Sequence, residues 1–169
     1  MTEKTGKAES RMTSAIVDIL INIPMFDALN SAALKIVSKY MNLMDFKRGE
    51  AVFNEGDKGN YICFVASGSF NVLKKNDQGK QVTIASLTRG RSMGEMAIID
   101  DYPRSATVKA WANSTLVTLT RDGFDQILDH YPAIGIKLLK EISRLLSMNL
   151  RRTSSRLADY LLPKNYVDE

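Results

Sequence analysis

The chain has 169 residues, 44% hydrophobic and 25% charged, which suits one folded domain with a helical appendage and excludes an intrinsically disordered chain. Its one cysteine, Cys63, cannot build an internal disulfide framework, so nothing demands an oxidising compartment and a cytoplasmic location is expected. A net charge of +4 permits anionic ligands without implying nucleic acid.

Residues 1–14 are polar and are expected to form a disordered tail, ahead of one domain over 15–160 and a frayed tail over 161–169. Ile16, Ile19, Leu20 and Ile23 fall at helical spacing and predict a helix that stops before Pro24. This stretch, broken by Asp18 and Asn22, is too short to span a bilayer and lacks a small-residue cleavage site, so no membrane association is expected. A second short helix, capped by Asn30 or Ser31, would bury Leu34, Val37 and Met41. From Leu43 the period changes. Strands are expected near 43–47, 51–54, 61–66, 69–75, 81–87, 106–112 and 115–120, divided by turn signals such as Arg48-Gly49 and Asn76-Asp77-Gln78-Gly79. Many short strands at this spacing imply an antiparallel sandwich or barrel. Helical pattern returns around Phe124, Ile127 and Leu128 and stops at His130-Tyr131-Pro132. A long helix follows from about 133 to 160, roughly 40 Å at 1.5 Å per residue. Helices at both ends of a β core make the fold class α+β.

The stretch MGEMAIIDDYPRSATVKA, residues 93–110, carries the chemistry. Gly94 permits close backbone approach or an unusual torsion. Glu95-Met96-Ala97-Ile98 can form one helical turn whose free N–H groups suit an anion. Arg104 brings a permanent charge and fork-shaped donors suited to phosphate, Pro103 stiffens the approach to it, and Ser105 adds a hydroxyl. A carboxylate only accepts hydrogen bonds, so Glu95 is useful here if the ligand brings a donor beside its own negative charge, as a ribose 2′-hydroxyl does. The alternative is that Glu95 and Arg104 simply form an ion pair.

Gly94-Glu95-Met96-Ala97-Ile98, five further residues and then Arg104-Ser105-Ala106-Thr107-Val108 closely resemble the phosphate-binding cassette of cyclic nucleotide-binding domains. These domains occur in the bacterial catabolite activator protein family and in regulatory subunits of cyclic-AMP-dependent kinase. The resemblance extends over about residues 18–155, through IPMFDALNSAALKIVSKYM, FKRGEAVFNEGDKGNYICFVASGSFNVL and GKQVTIASLTRGRSMGE. It implies an antiparallel β-roll, a jelly-roll-like barrel, flanked by N-terminal helices and a C-terminal helix pair. It also implies that Glu95 accepts from the ribose 2′-hydroxyl and that Arg104 pairs with the cyclic phosphate. Gly94, Ala97 and Ser105 would add backbone or hydroxyl contacts, with Met96 and Ala106 in the same cassette. Val72, Ile84, Ala85 and Leu87 fall where the family lines the sugar and base side, although alternation alone would also make them core residues. Met93 replaces the aromatic residue usual before the Gly-Glu pair. Ala85 offers no hydroxyl to the base. No threonine-rich guanine site is visible, which favours cyclic AMP over cyclic GMP.

In the long helix Leu139, Ile142, Leu146 and Asn149 fall at 3-4-3 spacing, with Leu138 and Leu145 alongside. Such a stripe can serve both the barrel and a second copy of the chain, and a parallel homodimer is expected. Asn149 either sets register in that helical pair or caps the purine, as a polar residue near this point does in the family. Arg144 either reaches the site or is solvated. RRTSSR, residues 151–156, is a basic helix end complementing the macrodipole, or a docking patch or kinase target. The chain ends before there is room for the winged helix-turn-helix of the transcription-factor branch, so direct DNA binding is not expected.

The expected function is a cyclic nucleotide sensor that signals by movement of its C-terminal helix to an unidentified effector protein. The competing readings are a dimerising scaffold without ligand and a nucleotide-metabolising enzyme. The enzyme has little support: His130 is the only histidine, no Cys/His/Asp cluster has metal spacing, and no nucleophile–base pair is evident. No metal or cofactor is expected beyond the nucleotide ligand.

Overall fold

The first apolar stripe folds as α1 (Thr2–Leu20), with Ile16 and Leu20 fully buried. Residues 2–161 are described by the computed structural model, with side chains from residue 10 onward. The expected tail over 1–14 is therefore helical from Thr2. Its Glu, Lys, Arg and Ala residues are good helix formers and extend a helix already anchored at Ile16. The expected frayed tail lies, beyond residue 161, outside the described residues.

A short 3-10 turn (Pro24–Phe26) leads to α2 (Ser31–Ser38), capped by Asn30, whose side chain accepts from Ala33 N at 2.9 Å. Eight strands follow: β1 (Met41–Phe46), β2 (Ala51–Phe53), β3 (Tyr61–Ser67), β4 (Ser69–Lys75), β5 (Gln81–Thr88), β6 (Ser92–Met93), β7 (Thr107–Ala110) and β8 (Ser114–Thr120). A second 3-10 turn (Met96–Ile98) separates β6 from β7. The chain closes with α3 (Arg121–His130), capped by Thr120, and the long α4 (Pro132–Leu161).

The strands pair antiparallel in two four-stranded sheets, ordered β1-β8-β3-β6 and β2-β7-β4-β5. This is the expected β-roll with helices at both ends, and the α+β class holds. Only β6, two residues long, has no counterpart among the expected strands.

Alternation on β3 explains where the core lies. Ile62, Phe64 and Ala66 face the helices, while Cys63 and Val65 face the second sheet, so this strand is buried on both sides. Phe64 meets Phe26 edge-on at 5.0 Å within a helical core that also holds Val37, Phe124, Leu138 and Ile142. Phe53, Phe70, Val108 and Leu116 fill the space between the sheets. Each such side chain contributes about 1.5–3 kcal/mol by leaving water. Ile142, part of a stripe read from sequence as serving both the barrel and a second copy, is buried in the chain's own core.

Burial pushes the Cys63 thiol up to about 12, the positive charge of Arg104 offsetting only part of the rise. The native protein should therefore resist thiol reagents at pH 8 and react at one site per chain once unfolded in urea. Fast labelling of folded protein, followed by mass spectrometry, would contradict this packing.

Candidate functional site

The site is built around a buried cation. Arg104 is 4% exposed, yet among the described residues it forms no salt bridge, with Glu95 or with any other carboxylate. The ion-pair alternative therefore fails. Its Nη1 donates to Gly94 O at 3.2 Å and its Nη2 to Tyr61 O at 2.8 Å, while buried Nε has no partner. The guanidinium lies over the rings of Phe53, at 4.0 Å, and Tyr61, at 4.5 Å. Carbonyls and ring faces orient the charge but do not neutralise it, and a buried charge without a counter-ion is unfavourable. An anion entering here would supply what the fold withholds.

Local sequence explains the seat. Gly94 has φ +75°, and a Cβ there would collide with Arg104 Nη1. A Cβ on Gly59 would fall 2.7 Å from both Arg104 Cζ and Ala97 Cβ. Arg104 N donates to Asp57 O at 2.8 Å and its carbonyl accepts from Gly56 N at 2.9 Å, so the turn after β2 fixes its backbone. Lys74 on β4 donates to Ser105 O and to Glu55 Oε1, each at 2.6 Å. The Lys74 hydrogen bond, helped by one from Lys75 N, holds the Glu55 carboxyl below its ordinary value of 4.5.

Beside Arg104, the turn at Met96–Ile98 leaves the N–H groups of Glu95, Met96 and Ala97 without a backbone acceptor among the described residues. These groups and Arg104 border one cleft of about 1320 Å³. All twelve residues singled out from sequence line it. Gly94, Glu95, Met96, Ala97, Arg104, Ser105 and Ala106 form the cassette wall, and Val72, Ile84, Ala85 and Leu87 form an apolar wall from β4 and β5. Asn149 comes from α4, and its Nδ2 donates to Glu95 Oε1 at 3.0 Å. One amide N–H of Asn149 is thus engaged inside its own domain.

Several lining residues were missed. Arg152 and Arg156, read as a solvated basic end, border the cleft with Arg144 and Arg91. Their signal was the four-residue row Arg144, Met148, Arg152, Arg156, which is one helix face. Phe53, Tyr61 and Gly59 carried no local signal, because they meet Arg104 only across the barrel.

The family model described as "Cyclic nucleotide-binding domain" matches residues 43–131, more than half of the chain. The chain belongs to the cyclic nucleotide-binding domain family. A solved cyclic nucleotide-binding domain from Methylobacillus flagellatus is similar at 28% identity and TM-score 0.79, over 94% of this chain and 88% of that one. A catabolite activator protein from Thermus thermophilus shows 26% identity and TM-score 0.73, over 80% of this chain and 62% of that one. A cAMP-dependent protein kinase regulatory subunit from Mycosarcoma maydis is 30% identical over 77% of this chain and 25% of its own length. The chain spans only part of such relatives, which are regulators and kinase regulatory subunits. Among the described residues, no helix is long and apolar enough to cross a membrane, and no three His, Cys, Asp or Glu residues gather as a metal site.

Because Gly94 and Arg104 are in contact, Gly94→Ala should strain the backbone and displace the guanidinium. It should destabilise this cyclic nucleotide-binding domain by about 1–3 kcal/mol in urea unfolding. A wild-type midpoint and slope would show the contact to be dispensable.

Proposed function

We propose that this chain is a cyclic nucleotide sensor, cyclic AMP being preferred over cyclic GMP. The observation that carries the reading is the Arg104 guanidinium, buried among carbonyls and rings without a carboxylate among the described residues. The cyclic phosphate would take Arg104, Ser105 and the free N–H groups of the 96–98 turn. The ribose 2′-hydroxyl would donate to Glu95, and the base would lie along Val72, Ile84, Ala85 and Leu87.

The output would be a protein contact made through α4, the intracellular partner being an effector of unassigned identity. A second copy is the first candidate for that surface. Ile136, Leu139, Ser143, Leu146, Leu150, Thr153, Leu157 and Tyr160 repeat at 3-4 spacing, and Leu150 and Leu157 are 68% and 56% exposed. This row replaces the one read from sequence, which ran through Ile142 and Asn149.

Calorimetry tests the ligand. Wild-type protein should bind cyclic AMP, and a hundredfold excess over Kd should stabilise it by about 2.7 kcal/mol, raising Tm by roughly 5–10 °C. Arg104→Lys keeps the charge but loses the fork, and should weaken binding about tenfold or more. Unchanged affinity would refute the phosphate assignment. Sedimentation tests the seam: Leu150→Lys should turn a dimer into a folded monomer, and a wild-type monomer at high concentration would remove the homodimer.

A further inference from the structure

Among the residues around the cleft, Asn149 is placed to do something that neither a base cap nor a seam asparagine does. It reaches across from α4 and donates to Glu95 Oε1 at 3.0 Å, in partly buried surroundings. Glu95 is the acid assigned above to the ribose. A carboxylate has two oxygens, and among the described residues Glu95 Oε2 accepts from no side chain or backbone group. One oxygen is therefore held while the other is left to accept.

We propose that Asn149 is a positioning residue. It sets the Glu95 carboxylate for a vicinal ribose hydroxyl and, through the same bond, seats α4 over the cleft. The proposal rests on reading the cleft as a cyclic nucleotide site. It differs from the base-cap reading because one amide N–H is engaged by the acid, a contact that capping a purine does not require.

The consequence is a coupling. Glu95 is the N-cap of the 3-10 turn and Asn149 lies past the middle of α4, 54 residues apart in sequence. Toward its N-terminus α4 is fixed by Leu138 and Ile142, whereas none of its residues from 143 to 161 is buried. The Asn149 bond thus tethers the part of the helix that the barrel holds least. A ligand that engages Glu95 in this orientation favours the seated helix, and the seated helix favours the ligand by the same factor. The exposed row from Leu150 onward moves with it.

Calorimetry with cyclic AMP and its 2′-deoxy analogue separates positioning from general packing. Wild-type protein should prefer cyclic AMP about tenfold or more, as expected for hydrogen bonds to a charged group. Asn149→Leu, similar in shape but without the donor, should reduce that preference to about threefold while barely altering affinity for the deoxy analogue. A variant that weakens both ligands equally, or neither, overturns the proposal. A ligand-free measurement tests the tether alone. In a thermal double-mutant cycle, Asn149→Leu should lower Tm in the wild-type background and have less than half that effect beside Glu95→Ala. Additive shifts overturn the tether. If wild-type protein binds neither cyclic AMP nor cyclic GMP while the cycle shows coupling, the nucleotide reading fails and takes the ribose role with it, but the tether stands.

Discussion

A guanidinium held inside the protein with no carboxylate partner among the described residues is the constraint around which this fold is arranged. Arg104 is surrounded by two carbonyls and two aromatic rings, and its Nε is unpartnered. Those neighbours fix geometry without supplying a negative charge, which is the condition for strong anion recognition by a buried cation. Two glycines let the cation sit so deep. The second sheet then contributes Phe53, and β3 contributes Tyr61, so the β-roll must close before the seat exists.

The cassette is also gripped from three directions. Lys74 on β4 holds the Ser105 carbonyl. Arg121, the first residue of α3, donates to Ala97 O at 2.6 Å and to Asp100 O, and pairs with Asp101. Asn149 on α4 holds Glu95. Helices α3 and α4 pack on each other closely, a Cβ on Gly135 coming within 2.9 Å of the Leu128 backbone. A shift of the 96–98 turn therefore meets both C-terminal helices, one through carbonyls and one through a carboxylate. Packed elements of this kind move between discrete arrangements rather than deform smoothly.

Periodicity read the elements well wherever one face is buried and the other wet. It placed α2, α3, α4 and seven of the strands, because β3 and its neighbours announce themselves by apolar runs between turn signals. It missed β6, where two residues carry no period, and it began α1 too late, because polarity conceals a helix that good helix formers extend. In α4 it marked one wide stripe for both the barrel and a second copy. Only packing shows that Ile142 of that stripe joins the core, and that Leu150, outside it, faces solvent.

The sequence by itself determined the cassette: the order Gly94-Glu95 to Arg104-Ser105 is local, and its chemistry follows from residue types within a dozen positions. An antiparallel sandwich or barrel was legible for the same reason, since alternation and turns are short-range signals, and the family resemblance implied that it is a β-roll. Tertiary structure alone decided that Arg104 is clasped by Phe53, Tyr61 and Gly59, and that Asn149 answers to Glu95. Those partners lie between 43 and 54 residues apart in sequence, or across two sheets, where no periodicity reaches. Which side chain meets which at such range is set by how the helices and sheets pack, and packing belongs to the whole chain at once.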